Sequence, residues 1–195
     1  MAVTCLVIVP TQTNLTPMVS GFMAFTTTFP FAAQPAVVTD EMCDQNGHMN
    51  VQFYSKVFGE ALIQFYVNDM GFSKSYFNSG FSTFTLEQNI KYVQECLVNE
   101  PLAVHYRLHN INKKLIHLAS VLLNRQEQLC AIYETVLGHV DMGTRKTAEM
   151  DGDFFNNLRA IQQQHTVSII DVPLRLGITS LWLFWVRYSI MCSNE

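Results

Sequence analysis

The sequence predicts an α+β fold in which an antiparallel sheet wraps around one long helix. Apolar residues recur at helical spacing from Val51 to Phe65, and the period then changes to two over four successive stretches between residues 84 and 140. Short polar turns, such as the one at residues 112–114, separate these stretches and favour antiparallel neighbours. A helix and a sheet that each carry an apolar face need one shared core, and wrapping the sheet around the helix provides it.

The long helix has recognisable signals at both ends. Asn50 is a suitable N-cap, because its side-chain oxygen can accept a hydrogen bond from a free N–H of the first turn. Gly71 is suited to end the helix, because glycine adopts the left-handed conformation at low cost. A short strand over 36–41 is expected before this helix, and a last amphipathic helix over 153–165 is expected after the sheet.

The first long strand carries one polar and one apolar face in this prediction. The apolar face is assigned Phe84, Leu86, Ile90 and Tyr92. Glu87 and Lys91 are assigned to the opposite face. The last strand, over 129–140, is apolar on both faces and is expected in the centre of the sheet.

Composition excludes several classes of protein. Hydrophobic residues make up 49% of the chain and charged residues 14%, which is unlike an intrinsically disordered protein. The net charge of -4 argues against a general nucleic-acid binder. We expect no membrane-spanning segment, because no run of apolar residues is long enough. The five scattered cysteines form no CxxC pair, so we expect no metal site and a cytoplasmic location.

The two ends of the chain differ from the middle. Residues 1–39 contain no Asp, Glu, Lys or Arg, and without basic residues they resemble neither a secretory signal nor a transit peptide. We expect residues 1–35 to form a poorly ordered N-terminal extension and residues 36–145 to form the main domain. Residues 146–170 are expected to hold the C-terminal helix, and residues 171–195 form an apolar tail of unknown role.

One short run, from Asp44 to Asn50, concentrates chemically useful groups between the first strand and the long helix. The free N–H groups at a helix N-terminus can polarise a carbonyl oxygen, and Gly47 permits close approach to the backbone. Asp44 would then serve as general base or nucleophile, with His48 beside it. The alternative is that Asp44 and Asn50 only cap a turn and a helix, while His48 fills the core.

The run Asp44-x-x-Gly47-His48-x-Asn50-x-x-x-Tyr54 resembles the signature of the 4-hydroxybenzoyl-CoA thioesterase family, whose members have the hotdog fold. The downstream pattern Ser82-x-Phe84-x-x-Glu87-x-x-Ile90-x-Tyr92-x-x-Glu95 extends the match. Together the two motifs look most like the branch of betainyl-CoA thioesterases and carnitine dehydrogenase thioesterase domains. The resemblance covers residues 36–145 and neither tail.

The resemblance implies an acyl-CoA thioesterase that acts on a betaine or carnitine type of acyl group and belongs to carnitine metabolism. Asp44 matches the catalytic carboxylate of the family, and Gly47 and His48 lie where the thioester carbonyl is polarised. Asn50 and Tyr54 match positions that shape the motif and the pocket. The resemblance also implies an active site at the interface of a homodimer, or of a dimer of dimers. No cofactor is implied, since CoA is part of the substrate.

Other residues leave alternatives open. Glu87 either faces solvent or binds a cationic acyl group, for which Phe84 and Tyr92 would supply aromatic faces. The chain departs from the branch at Asn89, where a histidine is expected, and a change of substrate would follow if this position faces the acyl group. The chain also has Met42 where many members of the family carry an acid or an aromatic residue. The altered neighbourhood of Asp44 and the extra apolar tails favour, as an alternative, a non-catalytic hotdog protein that binds acyl-CoA or a partner.

Three histidines and three basic residues complete the candidates. His105, His109 and His117 resemble a metal cluster only in spacing, and we assign them to the surface or to cross-strand contacts. The basic residues Arg107, Lys113 and Lys114 are candidates for contacting the phosphates of CoA.

Overall fold

The computed structural model of the chain describes residues 24–166 and 170–178. Its strands are β1 (Phe31–Ala32), β2 (Ala36–Val37), β3 (Phe81–Tyr92), β4 (Pro101–Ile111), β5 (Leu115–Leu123), β6 (Leu129–Asp141) and β7 (Lys146–Thr147). Its helices are α1 (Val51–Phe65), α2 (Lys74–Asn78) and α3 (Gly152–Gln164), with a 3-10 turn at Asp40–Met42 and a π-helical turn at Tyr66–Met70. The expected strand over 36–41 is therefore shorter than predicted, because residues 40–42 form the 3-10 turn.

The predicted antiparallel sheet and central helix are confirmed. Neighbouring strands run in the order β1-β4-β5-β6-β3, with β2 paired to β4 and β7 paired to β6, and every pairing is antiparallel. The inner face of the sheet packs on α1, where Phe58 stacks on Tyr133 at 4.8 Å between ring centroids. The hydroxyl of Tyr106 donates to the carbonyl oxygen of Phe58 over 2.9 Å, which ties the helix to β4.

The ends of the long helix follow their predicted signals. The Asn50 side chain accepts a hydrogen bond from the N–H of Gln52, as an N-cap does. After the π-helical turn, Gly71 adopts φ of +81° and ends the helix. The predicted C-terminal helix is also confirmed as α3, which begins at the cap residue Asp151 and buries Leu158.

The outer face of the sheet is covered by the two ends of the described chain. Residues 24–30, with Phe29, pack on β5, and β1 pairs with β4, so this part of the predicted N-terminal extension contacts the sheet. Residues 170–178, which we call the C-terminal strap, pack on β3, β5 and β6 through Leu176 and Ile178. This double coverage explains why β5 and β6 are buried on both faces. Residues 1–23 and 179–195, including most of the predicted apolar tail, lie outside the described residues.

The predicted face pattern of β3 is confirmed for Glu87, Ile90, Lys91 and Tyr92 but is wrong for Phe84 and Leu86, because the strand contains a β-bulge. The register shifts between Thr85 and Glu87, so Leu86 has no partner on β6. Ile90 lies opposite Tyr133 and packs in the inner core, whereas Leu86 packs against the C-terminal strap on the outer face. One extra residue exchanges the two faces, since side chains alternate along a strand with a period of two.

Candidate active site

The segment from Cys43 to Asn50 is a tight loop that lies against the start of α1. Its ends pair as a short antiparallel bridge between Cys43 and Met49, and the N–H of Asp44 donates to the carbonyl oxygen of His48 over 3.1 Å. Gly47 lies at the tip with φ of +80°, and a β-carbon there would meet nothing within 4 Å. The loop therefore needs glycine for its backbone conformation and not for space.

Asp44 and His48 approach each other across this loop. Oδ1 of Asp44 accepts a hydrogen bond from the N–H of Asn46 over 2.8 Å and lies 3.8 Å from Nδ1 of His48. The side chains are partly exposed, 27% for Asp44 and 36% for His48. The carboxylate is thus oriented by the loop backbone and stays accessible to a water molecule or a substrate carbonyl.

The N-terminus of α1 opens beside this pair. Asn50 caps the N–H of Gln52, and the N–H of Met49 is held by the carbonyl oxygen of Cys96 over 2.8 Å. The N–H of Val51 has no hydrogen-bond partner among residues 24–166 and 170–178. An N–H at this position carries part of the positive charge of the helix N-terminus and is suited to a carbonyl oxygen or an oxyanion.

A cavity of about 250 Å³, which we call the His48 cavity, lies where the loop, α1 and the end of β3 meet. It is lined by His48, Met49, Val51, Tyr54, Tyr92, Val93, Gln94 and Glu95. The rings of Tyr54 and Tyr92 meet edge to face with 5.0 Å between their centroids. Burial raises the pKa of the Tyr54 phenol well above its usual value, so its hydroxyl remains a hydrogen-bond donor at neutral pH.

The structure brings together six of the eight predicted site residues. Gly47 and Asn50 shape the loop and the helix start beside Asp44, while His48, Tyr54 and Tyr92 line the cavity. Phe84 and Glu87 are not among the lining residues.

Two features of β3 separate these residues from the cavity: the β-bulge puts Phe84 on the face opposite to Tyr92, and plain alternation after the bulge puts Glu87 there as well. Phe84 lies opposite Gly138 and Glu87 opposite Val136, and both partners belong to the outer face. The ring of Phe84 instead packs beneath the guanidinium of Arg145, whose Cζ lies 5.2 Å from the ring centroid. Glu87 is exposed on that face.

Sequence reasoning assigned no role to Gln94, which lines the cavity, and it expected free N–H groups at the start of the helix without singling out Val51. Glu95 entered only as part of the downstream motif, although this residue lines the cavity as well. Residues 93–97 were not assigned to an element, and the hydrogen bond from Met49 to Cys96 and the antiparallel bridge between His48 and Leu97 place them beside the loop. A pairing between segments this far apart in the chain has no local signal.

The candidate histidines do not assemble a metal site. Within the described ranges, no group of three His, Cys, Asp or Glu side chains could hold a metal ion. His105 and His117 are buried and not on the surface, and Nε2 of His117 lies 3.4 Å from Oε2 of the fully buried Glu134. The basic candidates are separated from the His48 cavity too, since Lys113 pairs with Glu149 over 3.4 Å and Arg107 faces the outer side of the sheet. No helix of the described chain is long and apolar enough to cross a membrane.

Known proteins resemble the chain in both sequence and fold. The betainyl-CoA thioesterase of Pseudomonas aeruginosa is 28% identical over 141 residues, which cover 72% of this chain and 87% of that protein. The L-carnitine dehydrogenase/betainyl-CoA thioesterase of Agrobacterium fabrum is 30% identical over 122 residues, or 63% of this chain. The chain spans only 25% of the length of that second protein.

A solved structure confirms the fold, and a family match gives the family. The Staphylococcus aureus protein SAV2348, whose structure was determined in complex with CoA, superposes with a TM-score of 0.67 at 21% identity. The match covers 76% of this chain and 94% of that one. The predicted hotdog arrangement is therefore confirmed. Residues 37–158 match the thioesterase-like superfamily, and the chain belongs to that family.

Proposed function

We propose that the protein hydrolyses an acyl-CoA thioester to a free acid and CoA. The observation that carries this proposal is the position of the Asp44 carboxylate beside an uncapped N–H of α1 and a cavity lined by two tyrosines. Membership of the thioesterase-like superfamily and the names of the two relatives support the same reaction.

The site can perform the two tasks that thioester hydrolysis requires. The N–H of Val51, aided by the helix N-terminus, polarises the thioester carbonyl and stabilises the negative charge that develops on its oxygen. Asp44 either removes a proton from the attacking water or attacks the carbonyl carbon itself, and an acyl-enzyme is then hydrolysed. In both routes the C–S bond breaks, water supplies the new acid oxygen, and the CoA thiolate takes up a proton.

We assign a cationic acyl group, of the betaine or carnitine type, to the His48 cavity, which places the enzyme in carnitine metabolism. Tyr54 and Tyr92 offer aromatic faces, and Glu95 supplies a carboxylate on the same wall, as a quaternary ammonium group requires. Glu95 thereby takes the role that sequence reasoning gave to Glu87. Glu95→Gln is expected to reduce the preference for a cationic over a neutral acyl-CoA, whereas Glu87→Gln, on the outer face, serves as the control.

A homodimer that covers the cavity is part of the proposal. Strand β3 is an edge of the described sheet, since its 12 residues pair only with β6. Large apolar side chains are exposed beside the cavity at Tyr92, Val93, Leu97 and Val98. An unpaired strand edge next to exposed apolar residues is typical of an interface. Sedimentation velocity tests this, and a dimer of dimers would appear there as a heavier species.

Two further expectations belong to the proposal. The reaction needs no cofactor, because water, one carboxylate and backbone N–H groups account for each step. The cytoplasm, a reducing compartment that holds acyl-CoA, agrees with the free thiols of Cys43, Cys96 and Cys130.

Thiol release from a panel of acyl-CoAs tests the function, with wild type and Asp44→Asn assayed side by side. The panel contains betainyl-CoA, short and medium fatty acyl-CoAs and an aromatic acyl-CoA. Loss of the carboxylate is expected to lower kcat by roughly a hundred- to ten-thousandfold, the range for removing a general base. If wild type binds CoA esters but releases no thiol from any of them, the non-catalytic alternative replaces this proposal.

A further inference from the structure

A second cavity lies on the outer face of the sheet and has no part in the proposed reaction. This Arg107 cavity has a volume of about 420 Å³, within the usual range for small-molecule sites. It is lined by Phe29, Arg107, His109, Ile170, Asp171, Val172, Pro173 and Leu174. It shares no lining residue with the His48 cavity.

The guanidinium of Arg107 is a cation without a carboxylate partner. It forms no ion pair with any residue that the structure describes, and its Nε–H is buried without a hydrogen-bond acceptor. Its Cζ lies 5.7 Å from the centroid of the Phe29 ring. The Nε–H itself lies below the surface, but the positive charge of the guanidinium has no counter-ion among the described residues and borders the cavity, so it favours an anion there.

The neighbouring His109 adds hydrogen bonding but no charge. Nδ1 of His109 contacts Nη2 of Arg107, and because a guanidinium only donates, this nitrogen must accept. The neutral ring therefore carries its proton on Nε2. Burial and the adjacent Arg107 together lower the pKa of His109 to about 4.

The remaining walls restrict the class of anion. Phe29, Val172, Pro173 and Leu174 supply apolar surface, and Asp171 places one carboxylate on the same lining. A single guanidinium near a carboxylate favours a singly charged head group over a phosphate dianion, because the second charge would be repelled. The apolar walls favour an aliphatic body behind that head group.

The C-terminal strap gives the cavity a built wall. The fully buried carboxylate of Glu134 accepts hydrogen bonds from the N–H of Arg175 at 2.8 and 3.0 Å and from the N–H of Leu176 at 2.9 Å. These bonds fix the strap immediately after the lining residues 170–174. The wall is therefore positioned by the fold in the absence of a ligand.

We propose that the Arg107 cavity binds an aliphatic monocarboxylic acid, with the carboxylate on Arg107 and the chain against Phe29 and the strap. The site is distinct from the catalytic cavity and does not depend on the proposed hydrolysis. The acid that the proposed hydrolysis would release shares the carboxylate of this ligand but carries a cationic group in place of the aliphatic chain.

Titration of the full-length ¹⁵N-labelled protein with octanoate and with 1-octanol tests the proposal. Octanoate is expected to shift the amide signals of residues 107–109 and 170–174 and to bind at least tenfold more tightly than octanol, because only octanoate forms a charge-assisted hydrogen bond. Arg107→Gln should remove this preference, while Arg125→Gln, an exposed change in the turn after β5, should keep it.

Three results would overturn the proposal. Equal affinity of the wild type for octanoate and octanol would show that the guanidinium takes no part. Shifts confined to residues 48–54 and 92–95 would place the acid in the His48 cavity instead. An unchanged octanoate preference in Arg107→Gln would assign recognition to another group. The first two results come from wild type, so they hold even if the variant folds poorly.

Discussion

Glu134 is expected to hold the C-terminal strap to the sheet, and Glu134→Gln tests this with a minimal change of shape. The carboxylate is fully buried and accepts three close hydrogen bonds from the strap backbone. It also accepts from Nδ2 of Asn89 over 3.3 Å and lies 3.4 Å from Nε2 of His117. Every neighbour named here is a nitrogen, so the position requires two acceptor oxygens.

The magnitude follows from what glutamine cannot do. One oxygen becomes an NH₂ group, which places a donor against the N–H of Arg175 or Leu176 and leaves at least one buried donor without an acceptor. Hydrogen bonds to a charged group contribute about 1.5–3 kcal/mol each, and part of the loss is offset because a neutral amide costs less to bury. We therefore expect the free energy of unfolding to fall by about 2–4 kcal/mol and Tm to fall by roughly 5–15 °C.

Urea unfolding measures the change, and limited proteolysis reports on the strap itself. The control is Glu149→Gln, because Glu149 pairs with Lys113 on the surface and its loss is expected to cost below about 1 kcal/mol. Cleavage within residues 170–178 should accelerate in Glu134→Gln and stay unchanged in the control. If both variants unfold at the same urea concentration as wild type, the strap is held by its apolar contacts and not by Glu134.

The other predictions concern the loop from Cys43 to Asn50 and the effect of pH on stability. Gly47→Ala forces a β-carbon into φ of +80°, which should lower the free energy of unfolding by about 1–2 kcal/mol and also lower kcat. Gly59 lies in the middle of α1 with space around it. Gly59→Ala should therefore raise the free energy of unfolding by about 0.5–1 kcal/mol in the same urea assay. If Gly59→Ala lost activity while Gly47→Ala kept it, this reasoning would be contradicted. Burial is the main reason that the pKa values of His109 and His165 are lowered from 6.5 to about 4 in the folded protein. Between these values the unfolded chain binds more protons than the folded one. The free energy of unfolding should therefore fall as the pH is lowered from 6.5 to 4. Urea unfolding at several pH values measures this slope, and a flat profile in that window would refute it.

The pH prediction has a structural reason beyond burial. Nδ1 of His165 accepts a hydrogen bond from the N–H of Leu108 over 3.0 Å, and Nδ1 of His109 accepts from Arg107. Protonation turns each accepting nitrogen into a donor, so both bonds are lost in acid. Both rings are only partly buried, and solvent screening therefore keeps the slope below the limit of about 1.4 kcal/mol per pH unit for each histidine.

Sequence reasoning succeeds where the signal is local. Three predicted features each depend on the conformation of one or two residues. They are the cap at Asn50, the helix end at Gly71 and the turn at Gly47. Helical and strand periods also survive in the structure, because the core between α1 and the sheet requires them. The elements that surround the site could for this reason be predicted before any tertiary contact was known.

Sequence reasoning fails where distant segments decide the outcome. The bulge between Thr85 and Glu87 has no glycine or proline to mark it, and it places Phe84 on the face opposite to Tyr92 and the His48 cavity. Glu134 lies in an otherwise apolar strand and receives its partners from residues about 40 positions later. Only the tertiary structure shows that this carboxylate is satisfied.

The inner face of the sheet packs on α1 and the outer face holds the C-terminal strap. Asn89 lies on the outer face, opposite Glu134. Its side chain contacts Glu134, whose carboxylate holds the C-terminal strap, and the family match ends at residue 158, before that strap begins. A histidine is bulkier than asparagine and would occupy space beside the strap backbone. We infer that the departure at Asn89 accommodates the strap and does not set the acyl group. Asn89 is not among the residues that line the His48 cavity, whereas Tyr54, Tyr92 and Glu95 are.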